Sequence, residues 1–201
     1  MVIIKLKNNF MKKCVLTFLL IVSVLTLSDA QATKMGGGLA LSSGFYYHQQ
    51  TSSGNRSGVI GLSFKHVHKI SLPLDISGTY TIFYPHITSD QLSKQIVSSH
   101  MLDINGHYIF NVLDRFEFYG LAGLDLLSAW NKYTSVGYPA TREHYFAIGL
   151  NLGGGTYMKI TKQLYIYGEL KYIVSKYDQF ILDAGVLLDI AWLKKHENTD
   201  L

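Results

Sequence analysis

The sequence predicts an all-β fold, an eight-stranded antiparallel up-and-down transmembrane β-barrel that follows a cleavable signal peptide. Apolar residues recur with a period of two from Lys34 onward, as in strands that have one apolar face. The predicted strands have about 11–17 residues, whereas globular strands usually have about 5–6 and a tilted membrane strand needs about 9–11. Aromatic residues collect near both ends of these strands, as they do at the two membrane interfaces.

Residues 1–32 have the features of a secretory signal peptide. The positive charge at its start comes from Lys5, Lys7, Lys12 and Lys13. A largely apolar segment at 14–27 follows, and Ala30-Gln31-Ala32 fits a cleavage site. We therefore expect the mature chain to start at Thr33, with Met11 as an alternative start of translation.

Loss of the signal peptide leaves a nearly neutral chain. The chain has 18 basic and 14 acidic residues. Four lysines and Asp29 leave with residues 1–32, so 14 basic and 13 acidic residues remain, a net charge of +1. No basic stripe supports a nucleic-acid partner. The single cysteine, Cys14, also leaves, which excludes disulfides and thiol chemistry from the mature chain.

Eight candidate strands form one domain over residues 33–192, before a polar tail at 193–201. Their predicted ranges, in order, are 35–48, 57–67, 71–85, 95–110, 115–130, 144–160, 164–175 and 179–192. In the fifth strand Phe116, Leu124 and Leu126 lie on one face, and Glu117 and Asp125 lie on the other. A face that carries no charge for about ten residues is what a lipid-facing strand needs.

The connections between these strands alternate in length. Tight turns are predicted at 68–70, 111–114 and 161–163, longer polar loops at 49–56, 86–94 and 131–143, and one short loop at 176–178. An even number of strands puts both termini on the short-turn side, which is periplasmic in outer-membrane barrels. A secreted soluble barrel or sandwich is the alternative, because such folds also alternate.

Two stretches carry a family resemblance. Residues 149–157 read GLNLGGGTY, and the last strand includes Leu187-Leu188-Asp189-Ile190. They resemble the final hairpins of OmpA/OmpX-like outer-membrane β-barrel domain proteins of Gram-negative bacteria. The resemblance implies eight antiparallel strands, insertion by the barrel-assembly machinery and no catalysis. Such barrels often end on an aromatic residue, whereas here the polar tail follows Trp192.

Charged residues on the other face of the strands predict a polar barrel interior. An eight-stranded barrel is just wide enough inside to be filled by side chains. The predicted inward set is Lys65, Asp75, Asp103, His107, Arg115, Glu117, Asp125, Lys159, Glu169, Lys171, Asp183 and Asp189. We expect a packed network of ion pairs and hydrogen bonds. The alternative is a narrow gated cation pathway, because acids outnumber bases in this set.

An enzyme is a weaker alternative, because some barrels that resemble this one modify lipid A. That chemistry needs a hydroxyl nucleophile, a histidine base and a carboxylate that orients the histidine. The candidate groups are His86, Ser89 and Asp90 in the second long loop, and Ser98, Ser99 and His100 near the start of the fourth strand. Neither set has the His-x-Ser-Asn arrangement of the lipid A deacylases, so we predict no enzymatic activity.

The sequence thus predicts an integral protein of the outer membrane, with a structural role or a surface-interaction role through extracellular loops. Tyr133, Tyr138 and Arg142, in the longest loop, are the candidate recognition residues. The expected partners are outer-membrane lipid and lipopolysaccharide, and the barrel-assembly machinery during insertion. No cofactor or metal is expected, since His66 and His68 lack a third ligand nearby.

Overall fold

The computed structural model describes residues 33–43 and 59–190, and it contains the eight expected strands. They are β1 (Thr33–Ser42), β2 (Val59–Ser71), β3 (Leu74–Ser89), β4 (Ser93–Leu113), β5 (Phe116–Ser135), β6 (Thr141–Lys159), β7 (Leu164–Val174) and β8 (Gln179–Asp189). The predicted signal peptide, the predicted loop at 49–56 and the polar tail at 193–201 lie outside the described residues. No helix in the described part of the chain is long and apolar enough to cross a membrane.

The strands close into an antiparallel up-and-down barrel. Each strand pairs with the next one in the sequence, and β1 also pairs with β8. In this register Thr33 lies opposite His68 of β2, and Lys34 lies opposite both Val67 of β2 and Asp189 of β8. Closure lets the backbone groups of the first and last strands pair with each other, which a sheet in hydrocarbon requires.

The barrel has an apolar exterior and a largely polar interior. On β2 the side chains of Leu62 and Phe64 are 52% and 51% exposed, whereas the neighbouring Lys65 is fully buried. The same alternation recurs around the barrel, because successive side chains of a strand point to opposite faces. An exposed apolar surface of this extent needs hydrocarbon around it, so the fold is that of a transmembrane barrel.

The interior has three layers along the barrel axis. The short-turn apolar layer consists of Val67, Ile109, Tyr119, Leu121, Tyr157, Tyr165, Tyr167 and Leu187. The long-hairpin apolar layer consists of Ala40, Phe83, Met101, Leu127, Ala147, Ile173 and Ile181. Between them lies a buried polar layer, formed by Ser63, Lys65, Ser77, Asp103, Asn105, His107, Asp125, Asn151, Glu169, Lys171 and Asp183. On β7, for example, Tyr167, then Glu169 and Lys171, then Ile173 pass through the three layers in sequence.

The strands β3 to β6 extend further than predicted at the end opposite the short turns. The expected long loops at 86–94 and 131–143 are wrong, because most of these residues continue the strands and leave turns at 90–92 and 136–140. The pairs Ser93 with Ser135 and Tyr133 with Thr141 belong to regular ladders. Outside the hydrocarbon neither face needs apolar residues, so the periodicity fades while backbone pairing continues.

Two of the predicted short turns are also displaced. β2 continues to Ser71 and β3 starts at Leu74, so the turn lies at 72–73 and not at 68–70. β4 continues to Leu113, and the next turn consists of Asp114 and Arg115. Asp114 has a φ of 51°, a left-handed conformation that Asp adopts more readily than most residues.

Candidate functional site

The centre of the polar layer is a chain of four charged side chains from three strands. Lys65 of β2 donates to Glu169 of β7, and Lys171 of β7 donates to Asp103 of β4 over 2.5 Å. The Lys171 Nζ also lies 4.0 Å from Glu169 Oε1, which links the two pairs. All four side chains are almost completely buried, and alternation of charge sign along the chain offsets the cost of their desolvation.

Tyrosine hydroxyls connect this chain to the short-turn apolar layer. Tyr119 Oη donates to Glu169 over 3.1 Å, and Tyr167 Oη lies 3.2 Å from both carboxyl oxygens of Asp183. His107 Nδ1 is hydrogen-bonded to Tyr157 Oη at 2.8 Å, and its ring stacks on Tyr119 with 4.4 Å between centroids. These tyrosines therefore pack with their rings in the apolar layer and their hydroxyls in the polar one.

Amide side chains complete the polar layer on the opposite wall. Asn151 Nδ2 of β6 donates to Asp103 and to Asn105 of β4, each over 2.8 Å. Asp125 of β5 lies opposite Asp103 in the β4–β5 register and is fully buried. The β5 glycine between these groups, Gly123, has no room for a side chain, since an added Cβ would lie 2.7 Å from the Asn105 Cα.

Eight of the twelve side chains predicted to face inward are at least nine-tenths buried: Lys65, Asp75, Asp103, His107, Asp125, Glu169, Lys171 and Asp183. Four lie elsewhere, at the short-turn end: Arg115 is exposed in the β4–β5 turn, Lys159 is exposed at the end of β6, and Glu117 and Asp189 are half-buried at the barrel mouth. Arg115 departs from the expected position because β5 starts one residue later than predicted, at Phe116.

Lys34 is a member of this mouth that sequence reasoning missed. Its Nζ lies 3.4 Å from Glu117 and stands over the rings of Tyr165 and Tyr157, 4.1 and 4.7 Å from their centroids. The first strand was predicted to start at residue 35, whereas β1 starts at Thr33. Extension of the alternating pattern back by one residue would have identified Lys34 as inward.

The three predicted recognition residues lie at the long-hairpin end but do not form one cluster. Tyr133 is on β5, Tyr138 is in the turn between β5 and β6, and Arg142 is on β6. All three are exposed. Arg142 lies opposite Lys132 on the outer face of the sheet, whereas Tyr133 lies on the other face, the one that points into the barrel lower down the strand.

The predicted catalytic groups are not assembled into a nucleophile and base. His100 Nδ1 is hydrogen-bonded to Tyr80 Oη at 3.0 Å, and Ser99 points inward and is buried. His86 contacts Thr88 Oγ1 at 3.2 Å.

Asp90 has a structural role in the β3–β4 turn. Its carboxylate accepts hydrogen bonds from the backbone N–H groups of Leu92 and Ser93 and from the Ser93 hydroxyl. These hydrogen bonds hold the pKa of Asp90 below its ordinary value, and the bond from the Leu92 N–H contributes most. A carboxylate that accepts backbone N–H groups in this way stabilises a tight turn.

A different serine–histidine pair lies on the outer face, and sequence reasoning did not find it. Ser128 Oγ of β5 and His144 Nε2 of β6 are 2.8 Å apart, and Trp130 packs against His144 with 4.9 Å between ring centroids. Sixteen residues separate the pair in the sequence, so only the β5–β6 register brings them together. Within the described residues, no group of three or more His, Cys, Asp or Glu side chains could hold a metal ion.

No family model matches the sequence, and a search of curated proteins finds no match either. Solved structures do match. Ail, the attachment invasion locus protein of Yersinia pestis, is 15% identical with a TM-score of 0.56, over 80% of this chain and 99% of Ail. Neisserial surface protein A is 16% identical with a TM-score of 0.55, over 79% and 96% of the two chains.

A major outer membrane protein from Thermus thermophilus is 14% identical with a TM-score of 0.55, over 80% of this chain and 99% of that protein. At these identities the matches concern the fold. The predicted resemblance to OmpA/OmpX-like proteins is confirmed at that level: the chain has the eight-stranded barrel fold of outer-membrane proteins.

Proposed function

We propose that this protein is a non-enzymatic integral protein of the outer membrane that presents a four-stranded sheet to the outside of the cell for surface interactions. Both termini then lie in the periplasm. The observation that carries the proposal is the length of β4, β5 and β6, which have 21, 20 and 19 residues, against 10 or 11 in β1, β7 and β8.

The extra length is concentrated at one end and forms a rigid platform. β6 pairs with β5 from Thr141, whereas its pairing with β7 starts at Leu150. The intervening residues correspond to roughly 30 Å of strand, at about 3.3 Å per residue. The part of this sheet that continues past the apolar outer belt does not help to span the membrane, so a recognition role accounts for it better.

The tips of this sheet expose apolar side chains. Leu92, Val136 and Tyr138 are 68%, 71% and 76% exposed. Apolar side chains on a rigid scaffold in water are typical of protein-interaction surfaces. The fold shared with Ail, which is named for attachment and invasion, supports the same kind of role.

Orientation and surface exposure can be tested with epitope tags in intact cells. We expect a tag placed after Gly137 to bind antibody on intact cells, and a tag placed after Lys162, in the 161–163 turn, to bind it after permeabilisation. For each tagged protein, a gel band from the outer-membrane fraction that shifts on boiling confirms that the barrel is closed. Labelling with the opposite pattern would show that the long hairpins face the periplasm.

The interaction role needs a second experiment. Cells that produce the wild-type barrel should be retained on a layer of cultured animal cells more strongly than cells that produce the Leu92→Ser/Val136→Ser/Tyr138→Ser variant at equal surface labelling. A matched control is Leu72→Ser/Leu113→Ser, which removes exposed apolar side chains at the short-turn end. Equal retention of the wild-type and tip-variant cells would contradict the role.

The Ser128–His144 pair favours a second candidate, an ester hydrolase that acts on outer-leaflet lipid. In that reaction Ser128 Oγ attacks an acyl ester carbonyl while His144 takes its proton and then passes it to the leaving alkoxide. Water, deprotonated by His144, then cleaves the acyl ester on Ser128, which releases the fatty acid and regenerates the serine. Against it, no Asp or Glu of the described residues accepts a hydrogen bond from His144, and the sheet ladder already uses the backbone N–H groups around Ser128. Lipid A mass spectra of cells with the wild-type and Ser128→Ala proteins should be identical, and an acyl loss that depends on Ser128 would support the hydrolase.

A further inference from the structure

A band of aromatic, histidine and cationic side chains lies on the outer face of β3 to β6, where the sheet leaves the apolar belt. We define this outer-rim patch as Tyr80, His100, Ser128, Trp130, Lys132, Arg142 and His144. The strand register brings them together. His100 lies opposite Ser128, Trp130 lies opposite His144, and Lys132 lies opposite Arg142.

The rings in the outer-rim patch form a continuous row. Tyr80 Oη is hydrogen-bonded to His100 Nδ1, and the His100 ring packs edge-on against Trp130 with 5.2 Å between centroids. The centroids of Trp130 and His144 are 4.9 Å apart. Trp130 is 46% exposed at the centre of this row. A fixed and half-exposed indole flanked by polar rings is suited to pack against the face of a sugar ring.

The cations of the outer-rim patch have no carboxylate partner in the described part of the chain. Lys132 and Arg142 form a directly opposed like-charge pair across β5 and β6, an arrangement that destabilises a sheet. No described Asp or Glu lies within ion-pair distance of either. Glu143 and Asn131 form the adjacent pair on the opposite face, so Glu143 does not offset the charges of Lys132 and Arg142. An anion bound from outside the protein would offset them.

The height of the outer-rim patch matches a lipid head group. On the outer face of β5, the six outward positions from Phe118 to Ser128, which span eleven residues of strand, carry no charge. A tilted strand crosses the hydrocarbon in about 9–11 residues. Trp130 and Lys132 therefore follow the apolar belt directly. Phe146 and Ile148 of β6, nearer the middle of the barrel, are 58% and 62% exposed on its outer face.

We propose that the outer-rim patch binds the phosphorylated sugar head group of an outer-leaflet glycolipid of the lipid A type. Lys132 and Arg142 bind its phosphate, Trp130 packs against its sugar ring, and its acyl chains lie along Phe146 and Ile148. Arginine and lysine favour phosphate through charge-assisted hydrogen bonds. This assignment rests on the proposed function in one respect, since it needs the long hairpins to face the outer leaflet in the cell.

The test is native mass spectrometry of the full folded chain in detergent micelles, titrated with bisphosphorylated lipid A. We expect Lys132→Ala/Arg142→Ala to weaken binding by about tenfold or more, the equivalent of about 1.4 kcal/mol. Lys159→Ala/Lys162→Ala removes the same charge from exposed positions at the short-turn end and should stay within about twofold of the wild type. Trp130→Ala should weaken binding, while Phe110→Ala, at the other end of the barrel, should not.

Dephosphorylated lipid A distinguishes head-group recognition from adsorption of acyl chains. It should bind the wild type as weakly as bisphosphorylated lipid A binds the Lys132→Ala/Arg142→Ala variant. Equal binding of the two lipids, or equal affinity of the wild type and that variant, would overturn the proposal. Binding in micelles does not depend on how the barrel is oriented in the cell membrane. Loss of lipid binding would therefore overturn this proposal alone, and reversed epitope labelling would overturn the proposed orientation.

Discussion

At the scale of single residues, the buried Glu169 holds the polar layer together. It accepts hydrogen bonds from Lys65 and from Tyr119, and it lies near Lys171. Two lysines in this low-dielectric interior depend on its charge. Loss of one partner of a buried ion pair leaves the other charge uncompensated, which costs more than the pair itself contributes.

Glu169→Gln should therefore destabilise the folded barrel by about 3–5 kcal/mol. The substitution keeps the size of the side chain but removes the charge that Lys65 faces. Urea-induced unfolding in lipid vesicles, followed by tryptophan fluorescence, measures the change in the free energy of unfolding. Glu117→Gln at the half-buried mouth is the matched control, and we expect it to cost under about 1 kcal/mol. Similar losses for the two variants would contradict the central role of Glu169.

Asp90 makes the β3–β4 turn dependent on pH. Its pKa is held below the ordinary value by the N–H groups of Leu92 and Ser93 and the Ser93 hydroxyl, so the folded turn favours the carboxylate. This stabilisation is complete above the ordinary pKa of Asp and is lost as the pH falls through the lowered pKa of the folded turn. The amide NMR shifts of Leu92 and Ser93 should titrate with a midpoint below that of an unstructured Asp. Asp90→Asn should abolish the titration, and a midpoint at or above the ordinary value would refute the assignment.

At the scale of elements, how much could be predicted depends on where the membrane constrains the sequence. Inside the hydrocarbon, alternation located all eight strands and identified Lys65, Asp103 and Lys171 as inward. Beyond it, polar residues are acceptable on both faces, so the last residues of β5 and the first of β6 were predicted as loop. The Ser128–His144 pair depends on register between two strands, which alternation alone does not determine.

Close packing between β1 and its neighbours gives a prediction at this scale. Gly38 of β1 lies opposite Gly185 of β8, and a Cβ at Gly38 would lie 2.5 Å from Tyr167 Oη and 2.9 Å from the Ala184 carbonyl carbon. Gly38→Ala should therefore destabilise the barrel by about 1–3 kcal/mol, since backbone atoms must shift.

Gly168 of β7 is the matched control for this substitution, because an added Cβ there meets no atom within 4 Å. Gly168→Ala should leave the free energy of unfolding within about 1 kcal/mol of the wild type or raise it, since alanine restricts the unfolded chain. The same urea titration measures both variants. Equal effects at the two positions would show that the space around Gly38 does not matter.

At the scale of the whole molecule, the order of the three interior layers bears on the possible ion pathway. The short-turn apolar layer draws side chains from six strands, and the long-hairpin apolar layer draws them from seven. An ion that passed through the barrel would have to lose its hydration twice. Between these layers Lys65 already binds Glu169 and Lys171 already binds Asp103, so these four side chains offer little compensation to a passing ion.

We therefore expect the purified full chain to give no discrete conductance steps in planar bilayers at high potassium chloride concentration. A sixteen-stranded porin, with an open aqueous channel, is the positive control for incorporation and recording. The Phe83→Ala variant should also show no conductance steps, because it opens the long-hairpin apolar layer but leaves the polar layer and the short-turn apolar layer in place. Reproducible cation-selective steps from the wild type would mean that these layers separate in the membrane, and the packed interior would then be a closed state of a gate.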